Sequence, residues 1–127
     1  MERQFELKTL GGLRVRGKLN NTKAGERFWN MLPHVGWINR WGGELSLDLE
    51  MYAESDETCR SRMQLGEMAY WSAGSKLCIF TGPTPISDKG EIRAIGDLSV
   101  LGMIIDDPAQ LKHLGYGEMV LLDKVVE

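Results

Sequence analysis

Arg40 has the neighbours that best suit it to act on a polar group. It stands between Trp37 and Trp41, with Ile38 close by. A guanidinium stays charged and presents several donors in one plane, so it can polarise an amide held against an apolar wall. Glu44 follows after Gly42-Gly43. Along a straight strand, Arg40 would lie opposite the Trp37/Asn39/Trp41 face and share a side with Glu44. A bulge at Gly42-Gly43 would undo that parity. The plainer alternatives are a surface ion pair between Arg40 and Glu44, worth roughly 0–1 kcal/mol, and core packing for the two tryptophans.

Other reactive residue types fall into less suggestive surroundings. Cys59 and Cys78 have no metal-type spacing and form no disulfide framework. Cys78 lies in the apolar run Leu77-Cys78-Ile79-Phe80 with no neighbouring base, so a buried small hydrophobe is expected. His34 follows Pro33 at a helix end, and His113 falls in the last turn of a short helix. Both positions suit capping of terminal carbonyls. Ser72, Ser75 and Ser87 have no His or acid pattern beside them, and no Gly-x-Ser-x-Gly elbow is present. The acidic stretch 50–57 lacks the calcium-loop pattern and reads as an exposed loop. No phosphate-binding glycine loop or zinc signature occurs, so neither metal nor cofactor is expected.

The run 77–80 is apolar on both faces, with Leu77 and Ile79 one way and Cys78 and Phe80 the other. One face can belong to the core. The other must meet a helix, a ligand groove or another subunit. Tyr70 and Trp71 likewise put aromatics on both faces of the preceding strand. The candidate ligand-binding residues are therefore Trp41, Glu44, Tyr70, Cys78 and Phe80, with Arg40 beside them, next to the Gly82-Pro83-Thr84-Pro85 turn. The competing expectation is that the 22–32 helix covers that second face.

The elements that must position these residues are short. Residues 3–10 and 13–19 read as a hairpin closed by Gly11-Gly12. Asn20-Asn21-Thr22 offers N-caps for a helix over 22–32, stopped by Pro33. Gly25 inside it costs about 1 kcal/mol relative to alanine, so the helix should depend on packing. Strands are expected at 44–49, 59–64, 67–72, 76–81, 97–105 and 119–126. Asp107-Pro108 should start a short helix near 108–114, ended by Gly115. About eight strands and two short helices point to a closed barrel in a single domain over 1–127, because closure removes exposed edges.

Composition agrees with one globular domain. The chain has 127 residues, 43% hydrophobic and 26% charged. Residues 1–49 hold eight Lys/Arg against five Asp/Glu, and 50–127 hold seven against thirteen. No basic stripe is interleaved with aromatics, so nucleic acid is not an expected partner. No apolar run approaches the roughly 20 residues of a membrane helix, and the start lacks a signal-peptide pattern. Neither a membrane partner nor export is expected, and cytoplasmic residence is the default.

Several blocks together resemble a known family. Ala69-Tyr70-Trp71, Gly74, Leu77-Cys78-Ile79-Phe80 and Gly82-Pro83-Thr84-Pro85-Ile86-Ser87 are similar to the signature of a prokaryotic cyclophilin-like family of largely unassigned function. Trp41-Gly42-Gly43-Glu44 resembles its second block. Asn21-Thr22 to Leu32-Pro33 resembles its helix, and Asp107-Pro108 and Gly117-Glu118 fit its end. The resemblance implies a barrel related to that of the prolyl cis/trans isomerases. Those enzymes carry Phe-His-Arg and Phe-Met-x-Gln segments, and this sequence has neither. A module binding a small molecule or a peptide segment is therefore the leading expectation. A divergent isomerase with Arg40 as polarising donor is the alternative, and a structural homo-oligomer the second.

Overall fold

The computed structural model describes residues 2–53 and 59–126. The acidic residues Glu54, Asp56 and Glu57 of the expected loop lie outside them. Ten strands form one antiparallel sheet. They are β1 (Arg3–Thr9), β2 (Arg14–Leu19), β3 (His34–Trp37), β4 (Asn39–Trp41), β5 (Glu44–Asp48), β6 (Cys59–Met63), β7 (Glu67–Trp71), β8 (Lys76–Phe80), β9 (Ile92–Ile104) and β10 (Met119–Lys124). A helix, α1 (Lys23–Met31), follows β2, and a 3-10 turn spans Pro108–Leu111.

The order across the sheet is β3-β10-β1-β2-β9-β7-β8-β5-β4, with β6 pairing β9 off this path. The expected closed barrel is thus corrected: the sheet is open. Its edge strands, β3 and β4, are consecutive in the chain and separated only by Ile38, so the sheet must curl. Strand 34–41 divides at that residue. Its first half pairs with β10, where Met119 faces Trp37. Its second half pairs with β5, where Trp41 faces Glu44. No ladder joins β3 to β5 among the described residues. Side chains bridge the seam only locally, at Gly36 and His34. A Cβ on Gly36 would sit 2.6 Å from Leu47 Cδ1, and His34 Nε2 lies 2.9 Å from the Asp48 carbonyl oxygen.

The helix lies inside the curl. Thr22 caps it, its Oγ1 accepting from Gly25 N at 3.1 Å. Ala24 and Phe28 turn into the core with Phe5, Leu7, Leu77 and Ile79. The Phe28 ring meets Phe5 edge-on, with centroids 5.5 Å apart. Gly25 has a packing reason, since a Cβ there would fall 2.6 Å from Asn20 O and 3.2 Å from Leu101 O. The helix therefore sits against the first face of β8, and the expectation that it covers the second face is overturned. A separate cluster of Met63, Ala69, Cys78, Phe80, Ala94, Leu98 and Val100 covers that face. It is built by β6 and the first half of β9. This half begins at Ile92, ahead of the strand start expected at residue 97.

Candidate functional site

The residues singled out in the sequence divide between two places. Gly42-Gly43 makes a two-residue hairpin turn, with Gly42 at φ 59°. The turn sets Trp41 across from Glu44, and Glu44 across from Phe80. Cys78 faces Ser46 and Ala69 on the same side. Trp41, Glu44, Cys78 and Phe80 therefore share the second face. Arg40 and Tyr70 lie on the other. Tyr70 is in the main core and donates its hydroxyl to Met51 O at 2.5 Å.

Arg40 makes no ion pair with Glu44. Its Nε donates to Leu114 O at 3.1 Å. One terminal nitrogen reaches Leu111 O at 2.8 Å and Lys112 O at 2.6 Å, and the other reaches Thr81 Oγ1 at 3.3 Å and Gly42 O at 3.5 Å. These five acceptors match the five N–H groups of a guanidinium. Arg40 thus anchors residues 111–114 onto β4. The short helix expected near 108–114 is a 3-10 turn over Pro108–Leu111. Asp107 caps that turn as expected, its Oδ1 accepting from Ala109 N at 3.0 Å.

Glu44 is 6% exposed, and its Oε1 has no hydrogen-bond partner. Burial raises its pKa from the ordinary carboxylate value to about 7, opposed only by a hydrogen bond with the Cys78 thiol. Burial, and then the facing Glu44, push the Cys78 thiol well up, which removes it as a nucleophile at neutral pH. Glu67 shows the satisfied alternative. It is equally buried, but it holds Arg60 and accepts from Gln64 N at 2.6 Å.

The Gly-Pro-Thr-Pro block packs against the same hairpin turn. Gly43 N donates to Pro83 O at 2.8 Å, and Thr81 N to Gly43 O at 2.7 Å. A Cβ on Gly43 would lie 2.2 Å from the Gly82 carbonyl carbon. The two most recognisable sequence blocks are thus each other's packing partners, pressed backbone to backbone.

A cleft of about 640 Å³ opens elsewhere, along the seam where strand 34–41 leaves β5. His34, Val35 and Trp37 of β3, Asp48 and Glu50 after it in the chain, and Tyr116 line it. Trp37 is 60% exposed and Tyr116 81%, which corrects the expectation of core packing for Trp37. Ile38 N donates to Glu118 O at 2.8 Å, and Gly117 N to Ile38 O at 2.7 Å. By antiparallel alternation, Val35 and Trp37 then turn their N–H and C=O groups away from β10 and toward the cleft. Sequence reasoning missed this site. The one available signal was Trp37 itself, a large aromatic beside Gly36 and two residues from Val35. No group of three or more His, Cys, Asp or Glu able to hold a metal occurs among the described residues.

An open antiparallel sheet curled round one helix, with its edge strands meeting at a single residue, defines the class of this protein. The chain belongs to the cyclophilin-like family, whose model matches residues 4–123. It is similar over 98% of its length to a hypothetical protein from Archaeoglobus fulgidus with a solution structure. The TM-score is 0.79 and the identity 27%, over 95% of that chain. No curated protein matches. The neighbour's description names no activity. No helix of the described residues is long and apolar enough to cross a membrane.

Proposed function

We propose that this domain is a binding module that takes a small ligand or an extended peptide segment in the seam cleft. The observation that carries the reading is the pairing of exposed Trp37 and Tyr116 with a strand edge whose Val35 and Trp37 backbone groups face the same cleft. Exposed aromatics supply apolar contact area. An open edge supplies directional hydrogen bonds to any segment laid along it, as in β-strand addition. Strand β3 is held on its far side by β10 and packs underneath on Leu47, which supports a pre-organised edge.

Catalysis of proline isomerisation has less support. The arginine that would polarise the twisted amide has all its donors engaged by Thr81 and backbone carbonyls. Moving it would release residues 111–114. The test of the binding reading is an amide-shift titration with blocked pentapeptides Ac-Ala-Ala-X-Ala-Ala-NH2, where X is Arg, Leu or Glu. Saturable shifts at Val35, Trp37 and Tyr116 with at least one member are expected. Shifts with none of them, or shifts confined to other strands, would refute it.

A further inference from the structure

We infer that the seam cleft selects a ligand carrying an ammonium or guanidinium group. This rests on reading the cleft as a binding site and adds the chemical class of what it binds. Two features of its walls converge on a cation. The first is aromatic. Trp37 and Tyr116 both face the cleft and both expose most of their surface, and an indole or phenol face attracts a cation placed over it.

The second feature is charge. The lining residues include the carboxylates of Asp48 and Glu50 and no lysine or arginine. Lys76 Nζ takes Asp48 Oδ1 at 2.6 Å, so part of that charge is already matched. Glu50 makes no ion pair among the described residues. A neutral apolar ligand would desolvate Glu50 without replacing its water, and an anion would be repelled. A cation satisfies the carboxylate and the rings together. Guanidinium fits both demands in one group, because its plane stacks on an aromatic face while its edge donates to a carboxylate.

The β3 edge permits close approach. Val35 and Trp37 turn their N–H and C=O groups away from β10, so a backbone laid along that edge can pair with them. A cation on an extended peptide can therefore reach the carboxylates while its own backbone lies along β3. A free organic cation would use only the side-chain walls. The shared chemistry is the cation, and affinity separates the two sources.

The experiment follows the Trp37 indole N–H resonance in the full chain during titration with N-acetylarginine amide, N-acetylcitrulline amide and N-acetylglutamine amide. Citrulline keeps the shape of arginine and removes its charge. The expected result is at least tenfold tighter binding of the arginine probe than of citrulline, weakened by added salt. Glu50→Gln should lower arginine affinity about fivefold and leave citrulline unchanged. A pentapeptide with central arginine that binds tenfold better than the single residue identifies a peptide source, and equal affinity identifies a free cation. Equal binding of citrulline and arginine at Trp37 overturns the cation selectivity and leaves the cleft as a site. No perturbation of Trp37 by any probe, the pentapeptides included, overturns both.

Discussion

A carboxyl buried between β5 and β8 with one oxygen unpartnered makes stability depend on pH. The folded state holds Glu44 at a pKa of about 7, above its ordinary value of 4.5. The folded protein therefore binds this proton more tightly than the unfolded chain does. Glu44's contribution to stability is largest below about pH 4.5, falls by at most about 3 kcal/mol as pH rises through 7, and is flat above. Glu44→Gln should remove that fall and unfold at higher denaturant than the wild type at pH 8, in urea melts run at several pH values. Arg40→Ala should cost about 2–4 kcal/mol in the same melts, because it leaves three carbonyls of residues 111–114 without their donor. Arg40→Lys should recover little of it, since an ammonium cannot span those acceptors. The sequence showed that Arg40 and Glu44 were unusual. It could not show that a two-residue turn, and no bulge, would put them on opposite faces.

At the scale of elements, packing overrules propensity. Alanine at position 25 would gain helix propensity of about 1 kcal/mol. Its Cβ, however, would fall 2.6 Å from the Asn20 carbonyl oxygen, a backbone atom that cannot step aside. Gly25→Ala should therefore lower the melting temperature, and a rise would contradict the docking of α1 on β2 and β9. Gly43→Ala should be more severe, because its Cβ meets the Gly82 backbone at 2.2 Å. Helix α1 and the β1–β2 hairpin were legible because cap, spacing and turn residues agree locally. The start of β9 was not. Arg93 and Gly96 break the alternation there, and the segment is a strand because β6 pairs with it.

The whole molecule turns on one choice of partner. No strand is expected between the helix and residue 44, yet residues 34–41 are strand on either side of Ile38, divided between β10 and β5. Periodicity reports which side chains share a face and says nothing about which neighbour supplies the hydrogen bonds. A closed barrel was the natural expectation from the number of strands. The divided strand replaces it with an open seam, and the seam makes the cleft. The recognisable blocks around Trp41 and Gly82–Pro85 identify the family and hold the sheet together, while the candidate site lies where the sequence is less distinctive. Trp37→Ala should leave unfolding free energy within about 0.5 kcal/mol of the wild type, as expected for an exposed side chain, and abolish binding. The most direct measurement is intermolecular NOE contacts in a complex with the arginine pentapeptide. Contacts from the ligand to the Trp37 indole, the Tyr116 ring and the Val35 amide are expected. Contacts to Trp41 and Pro83 in their place, or none at the seam, would contradict binding in the seam cleft.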